Sequence, residues 1–190
     1  MDVEEIRNIL GNQFAFSFNE INPVLQDLQL EKSAKILDIG TGNGTMAVTL
    51  ALNNYKVITG EPEDDESEYA KQDWLVLARK AKVEHMIIYQ SFNAEDMPFE
   101  DSSMDAIFIL GSLHHINDKE IALKECFRIL KLHGIICIFE PNSDAIKFIR
   151  ERRSPMHPDA VDPQNYIQEL HLSLEVIEGS FYTTYILRKK

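Results

Sequence analysis

Three glycines, Gly40, Gly42 and Gly44, follow the apolar run Lys35-Ile36-Leu37-Asp38-Ile39 and precede an apolar helical stretch. That order predicts a buried strand turning through a glycine loop into a helix, where glycine lets a ligand approach the backbone and permits positive φ. The loop reads Gly-x-Gly-x-Gly, with Thr41 and Asn43 between the glycines, and not the Gly-x-Gly-x-x-Gly of a dinucleotide fingerprint. An acid, Asp38, stands two residues before the first glycine. Its carboxylate would repel a pyrophosphate at the helix N-terminus and tolerate a cationic ligand or one without phosphates. A second acid, Glu61, closes the next predicted strand 23 residues on, the length of one strand, helix, strand unit. At that place an acid hydrogen-bonds both ribose hydroxyls of a bound nucleoside. The segment Phe92-Asn93-Ala94-Glu95-Asp96-Met97-Pro98-Phe99 follows the third predicted strand on the same edge of the sheet, where an adenine ring could lie.

These residues need a scaffold that brings strand ends together. Apolar runs of strand length recur at Lys35 to Ile39, Lys56 to Gly60, His85 to Gln90, Asp105 to Leu110, Ile135 to Glu140, Leu174 to Glu178 and Phe181 to Arg188. Helical patterns lie between them, at Gly44 to Asn53, Ser67 to Ala81, Asp118 to Leu132, Ser143 to Arg152 and Pro163 to His171. The alternation predicts an α/β fold, a doubly wound seven-stranded mostly parallel sheet. Glu178-Gly179-Ser180 is too short for a parallel crossover, so the last strand is antiparallel. In the helix after Asp118, Leu123, Phe127 and Leu130 share a face with Ala122, Cys126 and Ile129, and Lys131 and Gly134 mark its end. Two further helical patterns, Val3 to Leu10 and Asn19 to Leu30, could cap the sheet, with Phe14, Phe16 and Phe18 between them as core residues. A single domain over 1–190 is expected, a cap at 1–33 and a core at 34–190.

Composition narrows the partners. With 19 basic and 31 acidic residues the net charge is −12, and no basic stripe appears before the scattered Arg150, Arg152 and Arg153. A polyanion such as nucleic acid is disfavoured. No apolar run reaches the length of a membrane span, and the N-terminus, Met1-Asp2-Val3-Glu4-Glu5, is acidic. Cys126 and Cys137 sit inside apolar periodic stretches and read as buried thiols in a reducing compartment. Together these features predict a cytoplasmic location. The acidic run Glu61 to Glu68 reads as a solvated helix start.

Taken together, the motifs resemble those of class I S-adenosylmethionine-dependent methyltransferases, in the branch similar to ubiquinone and menaquinone methyltransferases. The likeness runs from about Lys35 to Asn142. Asp38, Gly40, Gly42 and Gly44 match the family's Asp-x-Gly-x-Gly-x-Gly, and Glu61 matches its ribose acid. Asn93, Ala94 and Glu95 match the Gly-Asp-Ala-Glu-x-x-Pro-Phe segment, with Asn93 in place of the usual Asp, and Leu113-His114-His115 matches Leu-His-His. The resemblance implies S-adenosyl-L-methionine as cofactor, held by Asp38, Gly40, Thr41, Gly42, Gly44, Glu61, Asn93, Ala94, Glu95 and Leu110. It also implies a methyl acceptor that is a small molecule or a protein.

Methyl transfer from a sulfonium is an in-line displacement, which needs alignment and exclusion of water more than a strong base. The end of the fourth predicted strand, Leu110, Gly111, Ser112, His114 and His115, lies nearest the expected methyl position, and the resemblance turns His114 toward the substrate pocket. Glu140-Pro141-Asn142 ends the fifth strand on the same edge. Leu110-Gly111-Ser112-Leu113 stands where nucleobase and glutamine methyltransferases carry Asn/Asp-Pro-Pro-Tyr, so those acceptors are not expected, and two buried cysteines do not suit arsenic. His157, Asp159 and Asp162 share a proline-rich loop with unspecific spacing, so no metal site is expected. The tail Arg188-Lys189-Lys190 reads as solvated surface. The lid segments, 1–33 and the loop from Arg153, are short, which implies a large substrate, a mobile lid, or completion by a second subunit in a homodimer or with a partner. A cofactor-binding protein without its own catalysis is the alternative function.

Overall fold

The computed structural model describes residues 2–63 and 71–190. The chain divides into two compact units, one ending at Phe92 and the other spanning Asn93–Lys190. The first unit contains α1 (Val3–Leu10), α2 (Asn12–Asp27), β1 (Ile36–Ile39), α3 (Thr45–Leu52), β2 (Val57–Gly60), α4 (Trp74–Ala81) and β3 (Ile87–Tyr89). The second contains β4 (Met104–Leu110), α5 (Lys119–Ile129), β5 (Leu130–Pro141), α6 (Ser143–Arg152), β6 (Leu172–Glu178) and β7 (Tyr182–Lys189). The strand order is β3-β2-β1-β4-β5-β7-β6, the mostly parallel seven-stranded sheet expected.

In the first unit β1 pairs parallel to β2, and β2 to β3. Every residue of β1 is buried. The continuous apolar run is what a strand covered on both faces requires. The three phenylalanines lie inside α2 and not between two helices. Gly11, with φ near 90°, breaks α1 from α2 at a place where a side chain would strain the backbone. Phe14 and Phe18, one helical turn apart, are buried with ring centroids 6.1 Å apart, whereas Phe16 on another face is about half exposed. The helix predicted to begin at Ser67 starts at Trp74, capped by the Asp73 side chain, which accepts from the Leu75 N–H at 3.0 Å. Residues 64–70, with most of the acidic run, lie outside the described residues.

In the second unit β4 pairs parallel to β5, and β7 pairs antiparallel to both β5 and β6, so the predicted closing hairpin forms. Ala106 to Ile109 and Ile136 to Ile138 are fully buried, the centre of this unit's core. The helix expected to reach Leu132 stops at Ile129, because Leu130 turns extended and opens β5. The register slips between Met104↔Leu130 and Ala106↔Ile135, a bulge that takes in residues 131–134. Gly134 therefore lies in a strand, where a Cβ would meet the Leu130 side chain at 2.7 Å. Lys131 pairs with Asp105 at 2.8 Å, and Lys189 does the capping, donating at 2.7 Å to the Phe127 and Leu130 carbonyls. Lys189 is thus not solvated tail; burial lowers its ammonium pKa. The predicted helix Pro163 to His171 is one 3₁₀ turn, Pro163–Tyr166, in which Pro163 alone is buried, so no apolar stripe supports further turns.

Candidate active site

Two glycines, one in the loop that leaves β1 and one at the end of β2, stand where only glycine is accommodated. Gly44 caps α3 with φ near 85°, and a Cβ there would lie 3.0 Å from the Trp74 Cβ. Gly60, at the end of β2, would place a Cβ 1.9 Å from the Gln90 carbonyl oxygen. The loop is tied to β2 by the Gly40 N–H donating to the Gly60 carbonyl at 2.9 Å, and the Gly42 N–H donates to Glu61 Oε2 at 3.1 Å. Beneath it Thr41 Oγ1 lies 2.9 Å from Thr59 Oγ1, which donates to Asp38 Oδ2 at 2.8 Å. Asp38 is fully buried, and its Oδ1 has no hydrogen-bond partner among the described residues. Burial raises its pKa from 3.8 to about 8, the Thr59 hydrogen bond opposes this, and the charge of Glu61 adds to it. Thr59 was absent from the sequence expectations. Strand alternation was the signal that could have found it, since residues two apart share a face and Thr59 sits two before Glu61.

The second unit holds the remaining expected residues. Asn93 Oδ1 accepts from the Glu95 N–H at 2.9 Å, closing a local turn, and Glu95 Oε1 accepts from the Asp118 N–H at 3.0 Å just before α5. Ala94 is buried between them in sequence. The rest of this segment is clamped by α5. Arg128 donates to the carbonyls of Phe99 and Met97 at 2.8 and 3.0 Å and pairs with Glu125 at 2.7 Å, while Glu125 accepts from the Met97 N–H. Leu110 ends β4 half-buried, followed by Gly111 at φ near 57°.

Past that turn His114 is buried, its Nδ1 2.7 Å from Glu140 Oε2. The ring lies against His115 and His157, with centroids 4.2 and 5.0 Å away. His114 Nε2 and Glu140 Oε1 are buried with no hydrogen-bond partner among the described residues. His157 Nδ1 lies 2.9 Å from the Pro158 carbonyl, and Arg150 Nε donates to the His157 carbonyl at 2.8 Å. Burial lowers the His157 pKa, and the neighbouring His114 and Arg150 push the same way, against the Pro158 hydrogen bond. The loop trio considered from sequence does not converge. Asp159 pairs with Arg150 at 2.8 Å, and Asp162 caps the 3₁₀ turn through the Gln164 N–H. Asn142, expected at the sheet edge after the fifth strand, caps α6 by accepting from the Ala145 N–H at 2.9 Å.

The family model described as "Methyltransferase domain" matches residues 37–138, and the chain belongs to that family. Among curated relatives, the 27-O-demethylrifamycin SV methyltransferase of Amycolatopsis mediterranei is 30% identical over 111 residues, 58% of this chain and 40% of that protein. The demethylmenaquinone methyltransferase of Staphylococcus aureus is 27% identical over 147 residues, 75% of this chain and 58% of that protein. This chain thus spans about half the length of the curated relatives it matches. A solved structure of a SAM-dependent methyltransferase from Aquifex aeolicus shares the fold, with a TM-score of 0.68, 18% identity and full coverage of both chains.

Proposed function

We propose that this chain is an S-adenosyl-L-methionine-dependent methyltransferase acting on a small-molecule or protein acceptor, with residues 1–190 working as one methyltransferase domain. The observation that carries the reading is the Glu61 carboxylate held by the Gly42 N–H at 3.1 Å, beside a buried Asp38 whose Oδ1 has no partner among the described residues. These residues suit the cofactor's parts. Glu61 takes the ribose hydroxyls, and Asp38, Gly40, Thr41, Gly42 and Gly44 form the loop for the cationic amino-acid part. Asn93, Ala94, Glu95 and Leu110 are assigned to adenine and its surroundings, with one lone pair of Asn93 Oδ1 already committed to Glu95. The unpartnered Oδ1 of Asp38 offers a buried acceptor for a cation, as the family resemblance requires.

Bound S-adenosylmethionine supplies an electrophilic methyl on a sulfonium, and transfer leaves S-adenosylhomocysteine. His114 is the proposed catalytic residue. Glu140 fixes the ring through Nδ1, and Nε2 is left to take the proton an acceptor loses on attack. No helix among the described residues is long and apolar enough to cross a membrane. Cys126 and Cys137 are free and buried, with the Cys126 thiol pushed up to about 12 by burial, and two unpaired thiols suit the proposed reducing, cytoplasmic setting. The test is calorimetric titration of S-adenosylmethionine, S-adenosylhomocysteine and NADH in parallel. Saturable 1:1 binding of the first two and none of NADH is expected. Binding of NADH alone, or of none, overturns the cofactor assignment. Binding without turnover of any acceptor points to a cofactor-binding protein completed by a partner subunit.

A further inference from the structure

We infer that His114, His115 and His157 form a binding site for a divalent transition-metal ion of the zinc type, with Glu140 orienting His114 and a fourth coordination position left open. The inference needs no part of the methyl-transfer reading, although it claims the same His114 Nε2. One ring nitrogen from each histidine lies within 4.8 Å of the other two. Zinc–nitrogen bonds of about 2.0–2.1 Å in a tetrahedral site place ligand nitrogens roughly 3.4 Å apart, which small ring rotations reach from there.

Two of the rings are already held as metal-bound histidines are. A ligating imidazole gives its second nitrogen to a carboxylate or a carbonyl, which sets the tautomer and aims the free lone pair. His114 Nδ1 meets Glu140 Oε2 at 2.7 Å, and His157 Nδ1 meets the Pro158 carbonyl at 2.9 Å. In both rings this leaves Nε2 as the ligand atom. The His114 Nε2 is buried without a hydrogen-bond partner among the described residues, an arrangement that costs free energy and that an ion would relieve. His115 is exposed and gives the ion a way in.

Ligand chemistry selects the ion. Three neutral imidazoles without a carboxylate in the trio favour zinc, copper, nickel or cobalt over magnesium and calcium, which take oxygen ligands. Three protein ligands plus one open position is the pattern of a site that binds water or an anion. The trio was not legible as a ligand set in the sequence, because 41 residues separate His115 from His157. An ion on Nε2 makes His114 a ligand and removes it as a proton acceptor, so the ion would regulate the chemistry proposed above and not assist it through that nitrogen.

The full chain, freed of metal by a chelator, is titrated at neutral pH with zinc chloride and with cobalt chloride. One equivalent of zinc binds in the micromolar range or tighter, and cobalt gives the intense visible absorption of a tetrahedral ion. His115→Gln and His157→Ala each weaken zinc by about tenfold or more, and Glu140→Gln does so by about 10–100-fold. His171→Ala leaves binding unchanged. Thermal melts without metal check that each variant folds, and His115→Gln, at an exposed ring, keeps the test open if a buried substitution does not. Absence of saturable zinc binding, an octahedral cobalt spectrum, or affinity indifferent to the His115→Gln change overturns the inference.

Discussion

Asp38 in β1 and Glu140 in β5 are both buried carboxylates, and each has one oxygen engaged and the other without a hydrogen-bond partner among the described residues. Their neighbours differ. Asp38 is approached by a threonine hydroxyl and lies near a second acid, Glu61, so burial and charge both favour its protonated form. Glu140 is approached by an imidazole nitrogen at 2.7 Å, an arrangement that orients the ring. The same side-chain chemistry at two strand ends therefore serves two ends. In the first unit the carboxyl sits against a hydroxyl with one oxygen left over, and in the second it aims another side chain.

The comparison can be broken most severely through backbone. Gly60→Ala forces a Cβ into the Gln90 carbonyl at 1.9 Å, so β2 and β3 must part. A cost of about 3 kcal/mol or more is expected, lowering Tm by roughly 6–12 °C, read by circular dichroism. A loss under about 1 kcal/mol would show that the edge strand adjusts freely.

Removing Glu140 tests the second region. Glu140→Ala strips the partner from a buried ring, and a loss of about 1–3 kcal/mol is expected. The accompanying signature is a change in the His114 imidazole NMR shifts, which a purely packing role of Glu140 would leave in place. Glu140→Gln retains an acceptor and recovers part of the stability.

Asp38 sharpens the contrast through pH. Its carboxyl titrates at about 8 in the folded chain against 3.8 in its ordinary state. Between those values the unfolded chain has released a proton that the folded chain still holds, so this group's contribution to stability falls as pH rises from about 4 to 8. Asp38→Asn removes that component. The variant should melt higher than the native chain above pH 8, by at least about 2–4 °C, and should bind S-adenosylhomocysteine more weakly. Equal melting temperatures at high pH would mean that Asp38 is not held protonated. The smallest effect belongs to Thr59→Val, which removes the hydroxyl from Asp38 Oδ2 and should cost about 1 kcal/mol. It should also raise the Asp38 titration further, seen as a shift of the stability profile to higher pH.

How far these regions were legible follows from how local their signals are. β1, the glycine loop and Glu61 are written in consecutive residues and one unit's spacing, and all seven strands stand near their expected places, β1, β4 and β5 because buried strands carry continuous apolar runs. Leu130 defeated the α5 boundary, since it continues the helical face in sequence yet opens β5 in the fold. The capping of α5 by Lys189 and the approach of His157 to His114 join residues far apart in the chain, which no local period encodes. Thr59 was within reach of strand alternation, whereas the turn that occupies Asn93 Oδ1 depends on backbone angles.

The central claim is that the first unit's loop and Glu61 hold a nucleoside-bearing cofactor. Calorimetric titration of S-adenosylhomocysteine into the native chain and into Glu61→Ala tests it most directly. The native chain should bind one equivalent, and the variant, having lost charged hydrogen bonds to the ribose hydroxyls, should bind roughly 10–100-fold more weakly while melting as a folded protein. Equal affinity in the two chains would contradict the assignment of Glu61 and of the loop it is tied to.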